Sequence, residues 1–154
     1  MDAHMLSLPI STLNPNQPCS VETGTSVSEA IQLMQDGRFG CVLVVDAEER
    51  LVGIVTERDL LVEITGTGAD PEEVVVDDVM TPEPESLRAS DPIAFALNLM
   101  HLGHYRHVPL VLSDDETQSD EGGYPVGVIS SKDITHHVAA FLEGSNGEER
   151  KDAI

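Results

Sequence analysis

Two short segments carry the residue types and spacing that can do chemistry. Gly53-Ile54-Val55-Thr56-Glu57-Arg58-Asp59 and Gly127-Val128-Ile129-Ser130-Ser131-Lys132-Asp133 each read glycine, two aliphatics, a hydroxyl, two variable positions and an aspartate. This pattern puts the hydroxyl at the end of a strand and the aspartate in the first turn of a helix. Backbone N–H groups are free there, and the helix dipole adds partial positive charge. Such a turn suits an anion. A carboxylate one turn in can accept hydrogen bonds from the two vicinal hydroxyls of a ribose. The Thr or Ser hydroxyl can bond a ribose or a phosphate oxygen. The same residues are also good helix starts with no ligand at all, the hydroxyl capping and the aspartate favouring the dipole. Spacing alone leaves both readings open.

Histidine and cysteine offer less. His101, His104 and His107 form His-x-x-His-x-x-His, with His136 and His137 further on. Imidazoles at such spacings can meet a metal ion. Gly103 is a helix stop, however, so the three need not share a face, and no metal site is expected. Cys41 opens an apolar run, where cysteine is inert packing rather than a nucleophile for His107. The carboxylates form no distinctive catalytic pair. The expectation is a protein without catalysis of its own, the enzyme-class alternative being a histidine-based, metal-dependent hydrolase.

A duplicated set of elements must position the two segments. Val27, Ala30, Ile31 and Met34 follow the spacing of an amphipathic helix, and Ile93, Ala96, Leu97 and Met100 repeat it 66 residues later. Thr25 or Ser26 can cap the first helix, with Glu29 closing a box from Ser26. Asp91 can cap the second, with Pro92 at its first helical position. Gly37 and Gly103 end the two helices at the same offset. An apolar run follows each, at 41–45 and 107–112, and reads as a buried strand. Further strands are expected at 51–55 and 126–130, and last helices at 57–64 and 131–142. Short first strands fall at 20–22 and 86–88. Residues 113–124 form a polar insertion that a hairpin loop tolerates cheaply.

The expected fold is therefore mixed α/β (α+β): two β-α-β-β-α repeats, packed sheet to sheet with pseudo-two-fold symmetry. The repeats span 8–68 and 76–143. Each is too small to fold easily alone, and packing together buries both apolar faces. Residues 66–78 read as an exposed connection, and 1–13 and 144–154 as loose ends.

With 154 residues, 40% of them hydrophobic, the chain can build a core, and with 3% aromatics that core must be aliphatic. No apolar run approaches the ~20 residues of a membrane-spanning helix, and no signal peptide is evident. The formal net charge is −20, from 28 acidic and 8 basic residues. Duplex nucleic acid and anionic membranes would repel that surface, so neither is expected as a partner. Cys19 and Cys41 make neither a disulfide framework nor a Cys-x-x-Cys site, which suits the cytoplasm. Arg38, Arg58, Arg106 and Lys132, half of the basic residues, fall at the turns where the two segments lie and can focus an anion locally.

Taken together, these residues resemble a tandem pair of cystathionine β-synthase (CBS) domains, often called a Bateman module. The two Gly-aliphatic-aliphatic-[Ser/Thr]-x-x-Asp segments carry the resemblance. Val79-Met80-Thr81-Pro82 is similar to the family's entry into a second repeat, and Gly103-His104-Tyr105-Arg106-His107-Val108-Pro109-Leu110-Val111 to its helix-to-strand segment. The likeness covers about residues 10–142. It implies a regulatory module that binds AMP, ADP, ATP or S-adenosylmethionine in clefts between the repeats, with no required cofactor. It signals by a conformational change that an unidentified regulated protein reads. By position, Asp59 and Asp133 would hold ribose hydroxyls, and Thr56 and Ser130 ribose or phosphate. Val108 and Pro109 would line the adenine slot, with Val42 and Leu43 as counterparts. Arg106 and His107 would face phosphate. The first repeat has Gly40 and Cys41 at those two positions and leaves Arg38 to compensate, so the second repeat is the better supplied for phosphate. A homodimer through helices of both repeats is also implied, with Leu60, Leu61, Ile64, Ile134, Val138 and Phe141 as the apolar residues concerned. A ligand-free scaffold or dimerisation module is the alternative.

Overall fold

The computed structural model describes residues 3–112 and 123–151, with side chains through residue 144. The inserted segment lies outside the described residues apart from its last two. Two amphipathic helices anchor the fold. Helix α2, Val27–Gly37, buries Val27, Ala30 and Met34, and α4, Ile93–Gly103, buries Ile93 and Ala96. The 66-residue offset between them is thus kept. Ser26 caps α2, its hydroxyl accepting from the Glu29 N–H at 3.1 Å. Asp91 does not cap α4. Pro92 holds the cap position with extended backbone, and the Asp91 carboxylate instead accepts from the Arg88 N–H at 2.7 Å, closing the turn before it.

Gly37 and Gly103 are the last helical residues, but the left-handed turn falls one residue later, at Arg38 (φ 55°) and His104 (φ 56°). The glycines serve another need. A Cβ at Gly37 would run into the Phe39 ring, and one at Gly103 into the Tyr105 ring. Each repeat folds an aromatic ring back over its helix end.

Strand β1 (Ser20–Glu22) pairs in parallel with β2 (Cys41–Val45), which pairs antiparallel with β3 (Leu51–Thr56). The second sheet is an antiparallel pair, β5 (His107–Leu112) with β6 (Tyr124–Ser130). The strand expected at 86–88 shrinks to one parallel bridge, Leu87 with Leu110. Its hydrogen bonds to Pro109 and Val111 keep the β1–β2 arrangement over too short a stretch to count as a strand. Strand β4 (Thr81–Pro82) adds to the edge of β3, completing a four-stranded sheet in the order β1-β2-β3-β4.

Period-two alternation splits the strand residues between two cores. Val42, Val44 and Val55 pack on the helix side with Val27, Ala30 and Met34. Val108, Leu110 and Ile129 do the same with Ile93, Ala96 and Ile134. The other faces meet across the seam, where Cys41, Leu43, Leu51 and Ile54 pack against Val111 and Val128. The protein is a mixed α/β fold with the repeats packed sheet to sheet.

The expected loose N-terminus is corrected, and the connector, exposed over most of its length as expected, buries one residue, Val76. Each leads into its own repeat but packs into the other one. Ile10, in the 3-10 turn Ile10–Leu13, is fully buried in the second repeat's core. Val76, in the matching turn Val76–Asp78, is fully buried in the first repeat's core. Helix α1, Ala3–Ser7, buries Met5. Asn16 bridges to Val128 of the second sheet, as β4 adds to the first. Exchanged leaders fill gaps that each small repeat would otherwise leave open.

The last helices also differ from expectation. Helix α3 is regular only over Glu57–Leu60 and widens into a π-helical turn, Leu61–Thr65. Helix α5 runs from Ser131 to Lys151, so the tail expected to be loose at 144–154 continues as helix through most of its length. Ile64 and Ile134 belong to the cores, so they are not available to a dimer face. Among the described residues, the large apolar side chains exposed on these helices are Leu61, Val62 and Leu142.

Candidate functional site

Both sequence segments form the same strand-to-helix turn. In the first, the Thr56 N–H and hydroxyl donate to Asp59 Oδ2 at 2.9 and 3.0 Å, and the Asp59 N–H donates back to Thr56 Oγ1 at 3.3 Å. In the second, Ser130 donates to Asp133 Oδ2 at 2.8 and 2.9 Å, and the Asp133 N–H returns a bond of 3.2 Å to Ser130 Oγ. These are reciprocal capping boxes. The turns are further tied down by Glu57 N–H to the Gly40 carbonyl, 3.3 Å, and Ser131 N–H to the Arg106 carbonyl, 2.9 Å.

The capping reading is therefore correct for both segments, and it leaves room for the other. Among the described residues, every hydrogen bond recorded to these two carboxylates goes to Oδ2. Oδ1 is left as an acceptor on a side chain whose orientation is already fixed, the condition a binding group needs.

Asp133 lines an open cleft together with Thr12, Leu13, His136 and His137. Thr12 and Leu13 come from the exchanged leader, so this wall needs both halves of the chain. Sequence reasoning missed Thr12 and Leu13 because it took residues 1–13 as a loose end. It weighed His136 and His137 only as metal ligands. Among the described residues, no three His, Cys, Asp or Glu side chains converge as a metal would need.

His107 sits near the seam between the repeats, in register with Ser130. Burial pushes its imidazole below the usual value; Glu57 and Asp133 draw it back up, and Arg106 adds to the lowering. It thus feels charged groups from both last helices and from the residue just before its own strand. A Cβ at residue 40 would approach His107 Nε2 to 2.9 Å. The glycine that departs from the basic pattern in the first repeat is what makes room for this ring.

The remaining expected residues are dispersed. Arg38 and Arg106 are exposed. Val42 and Val108 are fully buried on the helix-facing sides of their strands, so alternation turns their side chains away from the seam. Pro109 is on the seam-facing side of β5 and buried. Any contact from Val42 or Val108 to a ligand between the sheets would be through backbone. Cys41 is buried, which with the nearby Cys19 pushes its thiol up to about 12; it stays protonated and inert.

Comparison with known proteins agrees with this architecture. Residues 10–66 and 76–140 each match the family model of the CBS domain. The chain belongs to the CBS domain family, as a tandem pair. The CBS domain-containing protein CBSCBSPB3 of Arabidopsis thaliana is 31% identical over 121 residues, covering 79% of this chain and 20% of that protein. The chain thus spans about a fifth of that relative's length. CBSX2, solved in complex with AMP, has a TM-score of 0.68 at 22% identity, covering 88% of this chain and 98% of that one. The CBS domain pair of protein MJ0100, solved with 5′-methylthioadenosine and S-adenosyl-L-methionine, has a TM-score of 0.72 at 20% identity, covering 86% and 96%. Likeness at this level of identity speaks for the fold. Among the described residues, no helix is long and apolar enough to cross a membrane.

Proposed function

We propose that this chain is a regulatory sensor module that binds an adenosine-containing ligand, AMP, ADP, ATP or S-adenosylmethionine, in the cleft at Asp133. Ligand binding stabilises one arrangement of the two repeats, and a regulated protein in the cytoplasm reads it. The observation that carries the reading is the Asp133 carboxylate, oriented through Oδ2 by its own capping box while lining an open cleft. The solved relatives holding AMP or S-adenosyl-L-methionine make an adenosine ligand the natural candidate.

The surroundings of Asp59 and Asp133 differ in charge. At the 66-residue offset, Thr12 of the second cleft corresponds to Asp78. At the 74-residue offset between the last helices, His136 and His137 correspond to Val62 and Glu63. Around Asp59 the sequence thus adds negative charge, and around Asp133 it adds a hydroxyl and two imidazoles instead, with Arg106 near. A charge-assisted hydrogen bond contributes roughly 1.5–3 kcal/mol, so phosphate favours the second cleft.

Titration calorimetry with adenosine, AMP, ADP, ATP and S-adenosylmethionine tests this. Asp133→Asn, which can keep the cap, is expected to weaken binding more than Asp59→Asn. Arg106→Ala is expected to hurt ADP and ATP more than adenosine. Equal losses at the two aspartates would remove the asymmetry, and no binding by the wild type would leave the scaffold reading. We further propose a homodimer through Leu61, Val62 and Leu142, more than half exposed in the single chain. Light scattering at micromolar concentration should give a dimer mass, and a monomer mass counts against it.

A further inference from the structure

One helix face is out of keeping with the acidic surface around it. Helix α4 carries no Asp, Glu, Lys or Arg over its 11 residues, in a chain of net charge −20. Its counterpart in the first repeat supplies the comparison. At the 66-residue offset, α2 has Glu29, Gln32 and Asp36 where α4 has Phe95, Asn98 and Leu102, and all of these side chains are exposed. The positions face solvent in both repeats, and only the second repeat fills them with large apolar groups. Phe95 is 53% exposed and Leu102 69%. Helices α1 and α5 pack against α4 and leave both uncovered.

Single exposed apolar residues are ordinary on a protein surface, but a row of them marks a contact. Residues 95, 98 and 102 are spaced three and four apart, so they lie along one stripe. Aromatic groups are enriched and charges depleted at the centre of protein contacts. The stripe also says what covers it. Asn98 stands between Phe95 and Leu102, and its amide both donates and accepts, so it is complementary to a copy of itself. A two-fold axis passing by Asn98 would run two α4 helices antiparallel and set each Phe95 near the other copy's Leu102. Elsewhere the acidic surface opposes the approach of a second copy, whereas α4 brings no carboxylate to the contact. A basic partner would find no opposite charge on this helix.

We propose that the α4 stripe is where two copies of the chain meet, second repeat against second repeat. The inference rests on the homodimer reading and adds to it the contact that orients the copies. Asn98 fixes the register, as a lone polar residue does within an apolar helix pair. The corresponding α2 face, with Glu29 and Asp36, does not carry the contact.

The test uses the full chain in analytical ultracentrifugation. Phe95→Glu and Leu102→Asp each give α4 the residue that α2 already exposes at the corresponding position. Each should move the monomer–dimer midpoint to about tenfold higher concentration or more, with the far-ultraviolet circular dichroism of the wild type. Crosslinking reads the orientation without disturbing the apolar groups. A short bis-maleimide should join Asn98→Cys to a second copy and leave Gln32→Cys, its α2 counterpart, unjoined. The wild type serves as the blank for Cys19 and Cys41. A dimer that survives both α4 substitutions but is lost on Leu61→Glu overturns the α4 contact and leaves the homodimer reading standing. Joining at Gln32→Cys as complete as at Asn98→Cys overturns the pairing of second repeats. A wild type that stays monomeric at micromolar concentration overturns the homodimer reading and this inference together.

Discussion

His107 occupies a point where burial and two carboxylates act on its proton affinity in opposite directions. Burial prevails, so the folded protein keeps the imidazole neutral at pH values where the unfolded chain already binds a proton. The unfolded state then holds more protons between the ordinary value of 6.5 and the lower folded one. Stability from this residue is complete above that ordinary value and is lost as pH falls below it toward the folded value. Many other carboxylates also titrate on acidification, so the informative quantity is a difference. The melting temperature of wild type minus that of His107→Gln should fall between about pH 7.5 and about pH 5.5. A difference that stays constant across that range would show that the imidazole is not held neutral. At this scale the sequence was a good guide to residue type and a poor one to surroundings. Thr56, Asp59, Ser130 and Asp133 stand where their spacing put them, in matched turns. The inward turn of Val42 and Val108 depends on which face of the strand meets the other sheet, and an all-apolar run hides that alternation.

Among the elements, α2 and α4 were legible because a 3.6-residue apolar period, repeated at a fixed offset, has no rival explanation. The buried runs at β2 and β5 were legible for a similar reason. The leaders were not. Ile10 and Val76 open turns of four and three residues, too short to show any period. Their burial is decided by a gap in the opposite repeat, which local sequence does not encode. The helix ends teach a related lesson. Glycine there looked like a left-handed stop, yet Arg38 and His104 take that conformation, while Gly37 and Gly103 yield space to Phe39 and Tyr105. Alanine in a helix is ordinarily about 1 kcal/mol better than glycine. Here Gly103→Ala and Gly37→Ala should be destabilising, because the ring must leave its place over the helix end. Urea midpoints measure this directly, and the Tyr105→Leu background should relieve the loss at residue 103. A Gly103→Ala protein more stable than wild type would mean the ring moves freely.

At the scale of the whole molecule, the exchanged leaders make the two repeats one cooperative unit, and that unit must hold together against its own charge. The formal net charge is −20. Several carboxylates are committed to backbone N–H groups rather than to cations, among them Asp46, Asp59, Asp77, Asp91 and Asp133. Those bonds orient the turns but cancel no charge. The repulsion between these and the other like charges is spread over the surface and acts through solvent, so mobile ions can screen it. The Debye length shrinks from about 30 Å at 0.01 M to about 10 Å at 0.1 M and about 3 Å at 1 M. The unfolded chain, being expanded, suffers less from the same charges. Added salt should therefore favour the folded state, and the melting temperature should rise with sodium chloride, most steeply below about 0.1 M where screening changes over the distances between surface groups. Potassium chloride should act alike, since the effect is ionic strength. Sucrose at matched osmolality would separate screening from surface exclusion. A curve that is flat or falls with either chloride salt would mean that the acidic surface is not under strain.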